Sequence, residues 1–107
     1  MKMIIAILNA DDASTVVQNL MKNGFSVTKL STTGGFLRAG NVTVLIGVDN
    51  SKVQDVIDII STYSKSRKQV MPSMSEVGLK MFPSTPVEVT VGGATIFVLN
   101  VENFQKF

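Results

Sequence analysis

The chain has 107 residues, of which 45% are apolar and 17% charged, and these values are typical of one globular domain. Its net charge of +2 is too small to attract nucleic acid or an anionic membrane strongly. The absence of cysteine and histidine excludes disulfides, thiolate and imidazole catalysis and the usual zinc sites. The N-terminal apolar run is shorter than a signal peptide or a membrane span requires, so we expect a cytoplasmic protein without nucleic-acid or membrane contacts.

The first part of the chain predicts a strand, a helix and a second strand. Residues 3–8 form a short, β-branched apolar run, which is typical of a buried strand. The helix that follows should be capped by Asp11 or Asp12 and should end at Gly24, since these residue types favour the two helix termini. Residues 25–30 are then the second predicted strand.

A third strand and a second helix are predicted after the glycine-rich stretch 31–40. The run NVTVLIGV, residues 41–48, has the composition of a strand. Ser51 and Gln54 have the spacing of a capping box, in which each side chain bonds the other residue's backbone N–H. The second helix should therefore begin at Ser51 and continue to about Tyr63.

The rest of the chain predicts a long loop followed by a hairpin. Residues 64–86 contain few periodic apolar positions, so we expect one long mobile loop. Its basic residues and methionines fit either a partner contact or a solvated segment. Gly92 and Gly93 separate two β-branched runs, 87–91 and 94–99, and this pattern is a strong indication of a hairpin.

The order of these elements predicts an α+β fold of the ferredoxin-like βαββαβ type, with an extra hairpin strand near the C-terminus. Two helices can cover only one face of such an antiparallel sheet. The strands nevertheless carry apolar residues toward both faces, as in 41–48, where valines alternate with Leu45 and Gly47. We expect other copies of the chain to cover the second face, and the alternative is that residues 64–86 fold over it.

Neither catalysis nor RNA binding is supported by the residues. Asp11 and Asp12 form the only adjacent carboxylate pair, and a helix N-terminus explains them better than an acid–base dyad. The hydroxyl residues have no histidine to activate them, and no Walker loop is present. The first and third predicted strands contain no aromatic residue on which an RNA base could stack. We therefore expect a protein that is not an enzyme.

The stretch STTGGFLRAGN, residues 31–41, has features of an anion-binding loop. Gly34 and Gly35 can present consecutive backbone N–H groups, and Arg38 can pair with a phosphate. Phe36 offers an apolar face on which a purine could stack. The alternative is a plain connection between strands, with Phe36 packed into the core of its own chain.

Several motifs resemble the PII-like cyclic-di-AMP receptor proteins of Gram-positive bacteria. The resemblance extends over essentially the whole chain and lies in residues 1–7, 28–30, 32–41, 86–89 and 91–95, of which TTGGFLRAGN is the most specific run. It implies a homotrimer with its sheets inside and its helices outside. It also implies a non-enzymatic signalling protein that binds cyclic di-AMP in clefts between subunits. Two mobile loops, 31–40 and 64–86, would relay the signal to a downstream protein that the sequence does not name.

The resemblance also implies a set of ligand-binding residues. These are Thr28, Gly35, Phe36, Leu37, Arg38, Asn41, Gly47 and Lys106. The Thr28 hydroxyl would bond the ligand, Phe36 would lie against an adenine, and Asn41 would contact the phosphate–ribose region. Gly47 would leave room for its backbone to read an adenine edge. The ligand is cyclic di-AMP, and no cofactor or metal ion is expected.

This sequence departs from the family pattern at three places. Ser26 stands where members can carry arginine, Gly24 stands where a polar side chain can occur, and the order of residues 104–107 differs. The loss of an arginine weakens phosphate binding unless Lys106 supplies the charge. The alternative function is therefore a trimeric adaptor for protein partners with weakened or altered nucleotide specificity, toward ATP or another adenine nucleotide.

Overall fold

A computed structural model describes residues 1–30, 40–71 and 87–107. It contains six strands and two α-helices, in the order β1 Lys2–Asn9, α1 Ala10–Lys22, β2 Val27–Leu30, β3 Asn41–Val48, α2 Val53–Ser64, β4 Arg67–Met71, β5 Val87–Val91 and β6 Ala94–Asn100. A short 3-10 turn, Asn50–Lys52, precedes α2.

Four of the strands form one antiparallel sheet in the order β2-β3-β1-β6. Both helices pack against this sheet and against each other. The arrangement is that of a small α+β domain compatible with the ferredoxin-like fold, as the order of the elements predicts. The two remaining strands, β4 and β5, pair with each other in a separate antiparallel ribbon.

The hydrophobic core lies between the sheet and the two helices. Alternate residues of β1 and β3 point toward the helices because the side chains of a strand alternate between its faces. The fully buried large residues are Ile4, Leu8, Val16, Leu20, Val44, Ile46, Val56 and Ile60. The helical members are spaced by four residues within each helix, so each helix presents one apolar stripe to the sheet.

Helix α1 begins earlier than the sequence predicts. Its N-cap is Asn9, whose side chain accepts a hydrogen bond from the Asp11 backbone N–H at 2.9 Å. The prediction of Asp11 or Asp12 as the cap is therefore wrong, because both lie inside the first turn. There they face the positive end of the helix dipole, which favours acidic side chains.

The C-terminus of α1 agrees with the prediction at Gly24. Gly24 has φ +86°, and its N–H donates to the Met21 carbonyl at 3.0 Å. The Phe25 N–H donates to the Leu20 carbonyl at 3.1 Å. This pair of bonds around a left-handed glycine is a Schellman motif, and it turns the chain toward β2. That strand begins at Val27, so residues 25 and 26 lie before it.

Helix α2 lacks the predicted capping box. Ser51 lies within the 3-10 turn that leads into the helix, and neither the turn nor the helix has a side-chain cap. The Gln54 side chain donates to Asp58 at 2.9 Å instead of reaching back to Ser51. The predicted end near Tyr63 is confirmed to within one residue by the last helical residue, Ser64.

The hairpin prediction is wrong about strand pairing. Strand β5 pairs with β4, whereas β6 pairs with β1, so Gly92 and Gly93 carry the chain from the ribbon into the main sheet. The prediction that residues 64–86 form one loop is also wrong for the first part of this segment, because Arg67–Met71 form β4. The remainder, residues 72–86, and its predicted mobility lie outside the described residues.

The face of the sheet away from the helices is apolar and remains open among the described residues. Register places Phe97 beside Ile5 and Leu99 beside Met3 on this face, with Leu45 on the neighbouring strand. Phe97 is 51% exposed and Leu99 is 47% exposed. We call this surface the open face, and its composition agrees with the two-sided apolar pattern of the sequence.

Candidate functional site

The predicted site residues fall into two groups. Thr28, Asn41, Gly47 and Lys106 are described by the structure, and all four are exposed. Gly35, Phe36, Leu37 and Arg38 belong to residues 31–39, which lie outside the described residues. The suggestion that this loop binds anions remains a prediction for the same reason.

Thr28 and Gly47 lie close together on the open face. Thr28 pairs with Leu45 across β2 and β3, and Gly47 is two residues further along β3. Such diagonal neighbours lie about 7–8 Å apart, so one ligand can contact both. Gly47 also pairs with Met3 on the other side, which places it inside the sheet rather than at an edge.

Asn41 lies at the opposite end of the same strand. It is six positions from Gly47 along β3, which corresponds to about 20 Å. It pairs with Asn9 of β1 and borders a cleft of about 330 Å³ shared with Gly92 and Gly93. The structure therefore brings Thr28 and Gly47 together and leaves Asn41 at a second location.

A larger groove of about 620 Å³ lies beside Gly47, and we call it the Gly47 groove. Its lining residues are Asn23, Gly24, Phe25, Ser26, Gly47, Val48, Asp49, Lys52, Asp55, Asp58 and Ile59. Three aspartates face a single lysine in this set, and Lys52 Nζ lies 4.0 Å from Asp55. The groove thus has a negative charge, which sequence reasoning missed although Asp55 and Asp58 have helical spacing.

Met1 partly fills the space above Gly47. A Cβ atom at position 47 would lie 3.1 Å from the Met1 methyl carbon. The Met1 carbonyl accepts a hydrogen bond from the Val101 N–H at 3.2 Å, which holds the N-terminus against the end of β6. An adenine in the predicted position must displace this side chain, and methionine moves more readily than a branched residue.

The model of the cyclic-di-AMP receptor family matches residues 1–107, the whole of the sequence. The chain belongs to this family. It is also similar to the crystal structure of a functionally unknown protein from Pediococcus pentosaceus, with 38% sequence identity and a TM-score of 0.75. That similarity covers 99% of this chain and 96% of the other. The resemblance inferred from the sequence motifs is therefore confirmed.

Membership of the cyclic-di-AMP receptor family indicates a signalling protein that binds cyclic di-AMP, and a receptor is consistent with the absence of a catalytic constellation in the sequence. Within the described ranges, no group of three or more acidic side chains could hold a metal ion. None of the described helices is long and apolar enough to cross a membrane.

The C-terminal tail of this receptor leaves the sheet at the Gly47 end. Asn100 and Val48 both pair with Lys2, so the tail starts about 10 Å from the end of β3. Residues 101–107 continue without helix or strand, and the Lys106 side chain is exposed. The tail thus begins at the same end of the sheet as the Gly47 groove, which Ser26 also lines.

Sequence reasoning also missed an ion pair between Asp12 and Arg67. Arg67 Nη2 donates to Asp12 Oδ1 at 3.0 Å and Nη1 donates to Oδ2 at 3.4 Å. The Asp12 side chain is only 8% exposed, whereas that of Arg67 is 43% exposed. The hydrogen bonds that Arg67 donates to Asp12 and the negative charge of Asp12 raise the pKa of Arg67. The two residues are 55 positions apart, and no local pattern links them.

Proposed function

We propose that the protein is a non-enzymatic receptor that binds cyclic di-AMP in clefts between the subunits of a homotrimer and relays the signal to a protein partner. The match of the cyclic-di-AMP receptor family to residues 1–107 carries this proposal. The loops 31–40 and 64–86 are the segments through which the signal would pass.

The open face supports the oligomeric part of the proposal. Its exposed aromatic and aliphatic side chains need an apolar cover, and two further copies of the same face provide one. A trimer with the open faces inside also places the helices outside, where their polar sides meet water.

The separation of the predicted ligand residues supports a site between subunits. Asn41 and Gly47 lie about 20 Å apart in one chain. A compact ligand can therefore contact both positions more easily if one subunit supplies Asn41 and its neighbour supplies Gly47. Adenine recognition at Thr28, Gly47 and the loop residues Gly35, Phe36 and Leu37 follows from the proposal.

A second function is favoured by the charge of the Gly47 groove. Its aspartates repel the two phosphates of cyclic di-AMP, and neither Ser26 nor Gly24 supplies a compensating cation. A trimeric adaptor that binds protein partners, with weaker cyclic-di-AMP affinity or with a preference for ATP or another adenine nucleotide, fits this observation.

Calorimetric titration with cyclic di-AMP, cyclic di-GMP and ATP tests both functions. The receptor proposal expects cyclic di-AMP to bind tightly with one ligand per chain and cyclic di-GMP to give no heat. Binding of ATP in preference to cyclic di-AMP supports the adaptor instead. If cyclic di-AMP gives no heat at any accessible concentration, the receptor proposal fails.

The variant Gly47→Val locates the site in the same titration. The added side chain would meet Met1 on the open face and occupy the space proposed for the adenine, so we expect binding to be lost while the oligomer remains. Thr43→Val is the matched control, because it is nearly isosteric and lies four residues away on the same face of β3. Equal affinity of the Gly47→Val protein and the control would place the ligand elsewhere.

A further inference from the structure

The β4–β5 ribbon joins the main domain at one corner, where β4 begins and β5 ends. The Gly93 backbone N–H donates to the Ser64 carbonyl, which ties the end of the ribbon to the end of α2. Arg67, the first residue of β4, makes the bidentate ion pair with Asp12 of α1 and also donates to the Lys65 carbonyl at 3.3 Å. The ion pair is thus a side-chain connection between the ribbon and the first turn of α1.

Gly92 makes room for this connection. A Cβ atom at Gly92 would lie 2.6 Å from Arg67 Nη1, 2.8 Å from the Lys65 carbonyl oxygen and 3.1 Å from Asp12 Oδ2. Its φ of +81° is also a conformation that side-chain-bearing residues avoid. The chain therefore passes close against the ion pair at this point, and a larger residue would push the guanidinium away.

The same corner adjoins Asn41. Asn9, which caps α1, pairs with Asn41 across β1 and β3, and the Ala10 N–H donates to the Gly40 carbonyl at 2.6 Å. Asn41 and Gly92 border the same 330 Å³ cleft. A ligand group at Asn41 therefore lies next to both the start of α1, which carries Asp12, and the end of the ribbon.

The ion pair has the properties of a contact with two states. Asp12 is buried, so water solvates its carboxylate poorly when Arg67 moves away. A partly separated pair is therefore unfavourable, because it leaves a buried charge without compensation. Arg67 is half exposed, so its guanidinium can move into water without crossing the core. Because Arg67 makes two hydrogen bonds to the same carboxylate, both can form only when the ribbon has one fixed orientation relative to α1.

We propose that the Asp12–Arg67 ion pair is a latch that fixes the β4–β5 ribbon to the Asn41 end of the sheet and couples the ribbon to ligand bound there. The coupling rests on the proposed function, whereas the latch itself does not. When the latch is closed, it holds Gly92 and Gly93, which follow the ribbon directly, as one wall of the cleft beside Asn41. When it opens, this wall is no longer held in place and the ligand binds more weakly.

Amide hydrogen exchange of the full chain without ligand tests the latch. Asp12→Asn keeps the shape of the side chain and removes its charge, and we expect exchange in the β4 and β5 amides to rise by about tenfold or more, with β1 and β3 unchanged. Asp11→Asn is the matched control, because it removes the same charge from an exposed position of the same helical turn without touching the hydrogen-bonded pair. Arg67→Gln should reproduce the effect, and the double variant should add little to either single change.

Two results would overturn the latch. Ribbon exchange that is equal in Asp12→Asn and Asp11→Asn would show that the pair does not hold the ribbon. A uniform increase over β1 and β3 as well as the ribbon would show that the pair stabilises the whole domain. Should Asp12→Asn not fold, Arg67→Gln alone decides, because it leaves α1 unaltered.

Calorimetry with cyclic di-AMP on the same variants tests the coupling. Linkage sets one limit for both measurements, namely the ratio of the ligand's affinities for the closed and open forms. Saturating ligand should slow ribbon exchange in the parent protein by this ratio, and Asp12→Asn should weaken binding by up to the same ratio, which we expect to be about tenfold. Faster ribbon exchange with unchanged affinity would refute the coupling and leave the receptor function intact. No binding by the parent protein would refute the receptor function and the coupling together, and the exchange data would still decide the latch.

Discussion

The two faces of the main sheet are built from similar apolar residues but differ in how far those residues are buried. On the helix side, Ile4 and Ile46 are fully buried by α1 and α2. On the open face, Phe97 and Leu99 remain about half exposed in the same sheet. Apolar character is a property of the sequence, whereas burial depends on what is available to cover each face, and within the described residues only one face is covered by its own chain.

The largest effect is expected on the covered face. Leu20 is fully buried between α1 and the sheet, so Leu20→Ala leaves a cavity and should lower the free energy of unfolding by about 3–5 kcal/mol. The neighbouring Met21 is largely exposed on the same helix, and Met21→Ala should change stability by less than about 0.5 kcal/mol. Urea denaturation of both variants measures the difference, and equal midpoints would contradict the assignment of the core.

A change on the open face should affect assembly more than folding. Phe97→Lys places a charge at the centre of the proposed subunit contact, so we expect dissociation to monomers that keep the circular dichroism of the parent. Tyr63→Lys is the control, since Tyr63 is a partly exposed aromatic residue on α2, which the proposal places outside. Sizing chromatography separates the two outcomes. An unaltered oligomer in Phe97→Lys would remove this face from the interface.

The smallest effect concerns the charge of the Gly47 groove. Ser26 lines the groove together with Asp49 and Asp55, and Ser26→Arg adds a cation that can pair with a ligand phosphate. We expect cyclic di-AMP to bind about 5–30-fold more tightly, which corresponds to about 1–2 kcal/mol. Ser61→Arg is the control, because it adds the same charge to an exposed position outside the groove.

The tail provides the competing explanation for that result. If Lys106 already neutralises the phosphate, Ser26→Arg should leave the affinity unchanged and Lys106→Ala should abolish binding. The opposite pattern would assign the missing charge to position 26. A double-mutant comparison by calorimetry distinguishes these two cases.

The parts of the fold that local patterns determine were predictable. Strand β3 has the predicted boundaries, and α1 ends at Gly24 because a left-handed glycine completes its Schellman motif. The start of α1 was not predictable in the same way. Asn9 is both the last residue of β1, paired with Asn41, and the cap of the helix, so tertiary pairing sets the boundary.

The pairing of β5 shows where local patterns fail. Two β-branched runs around Gly92 and Gly93 are compatible with a hairpin and with a passage between two sheets, and only the distant strand β4 decides between them. The Asp12–Arg67 pair could not be predicted from local patterns for the same reason, because it forms only where α1 and the ribbon meet in the folded chain. Motif similarity was more informative about the family, since it uses the whole chain. The negative charge of the Gly47 groove comes from the single stretch 49–58, whereas the groove itself also needs residues 23–26 and 47–48 to close it.

The oligomeric state tests the central claim most directly, because both the cover of the open face and the site between subunits depend on it. Light scattering on a sizing column at micromolar concentration should give three times the 11.5 kDa chain mass. A single monomeric peak would contradict the account, since the open face would then be exposed to water and no cleft between subunits could form.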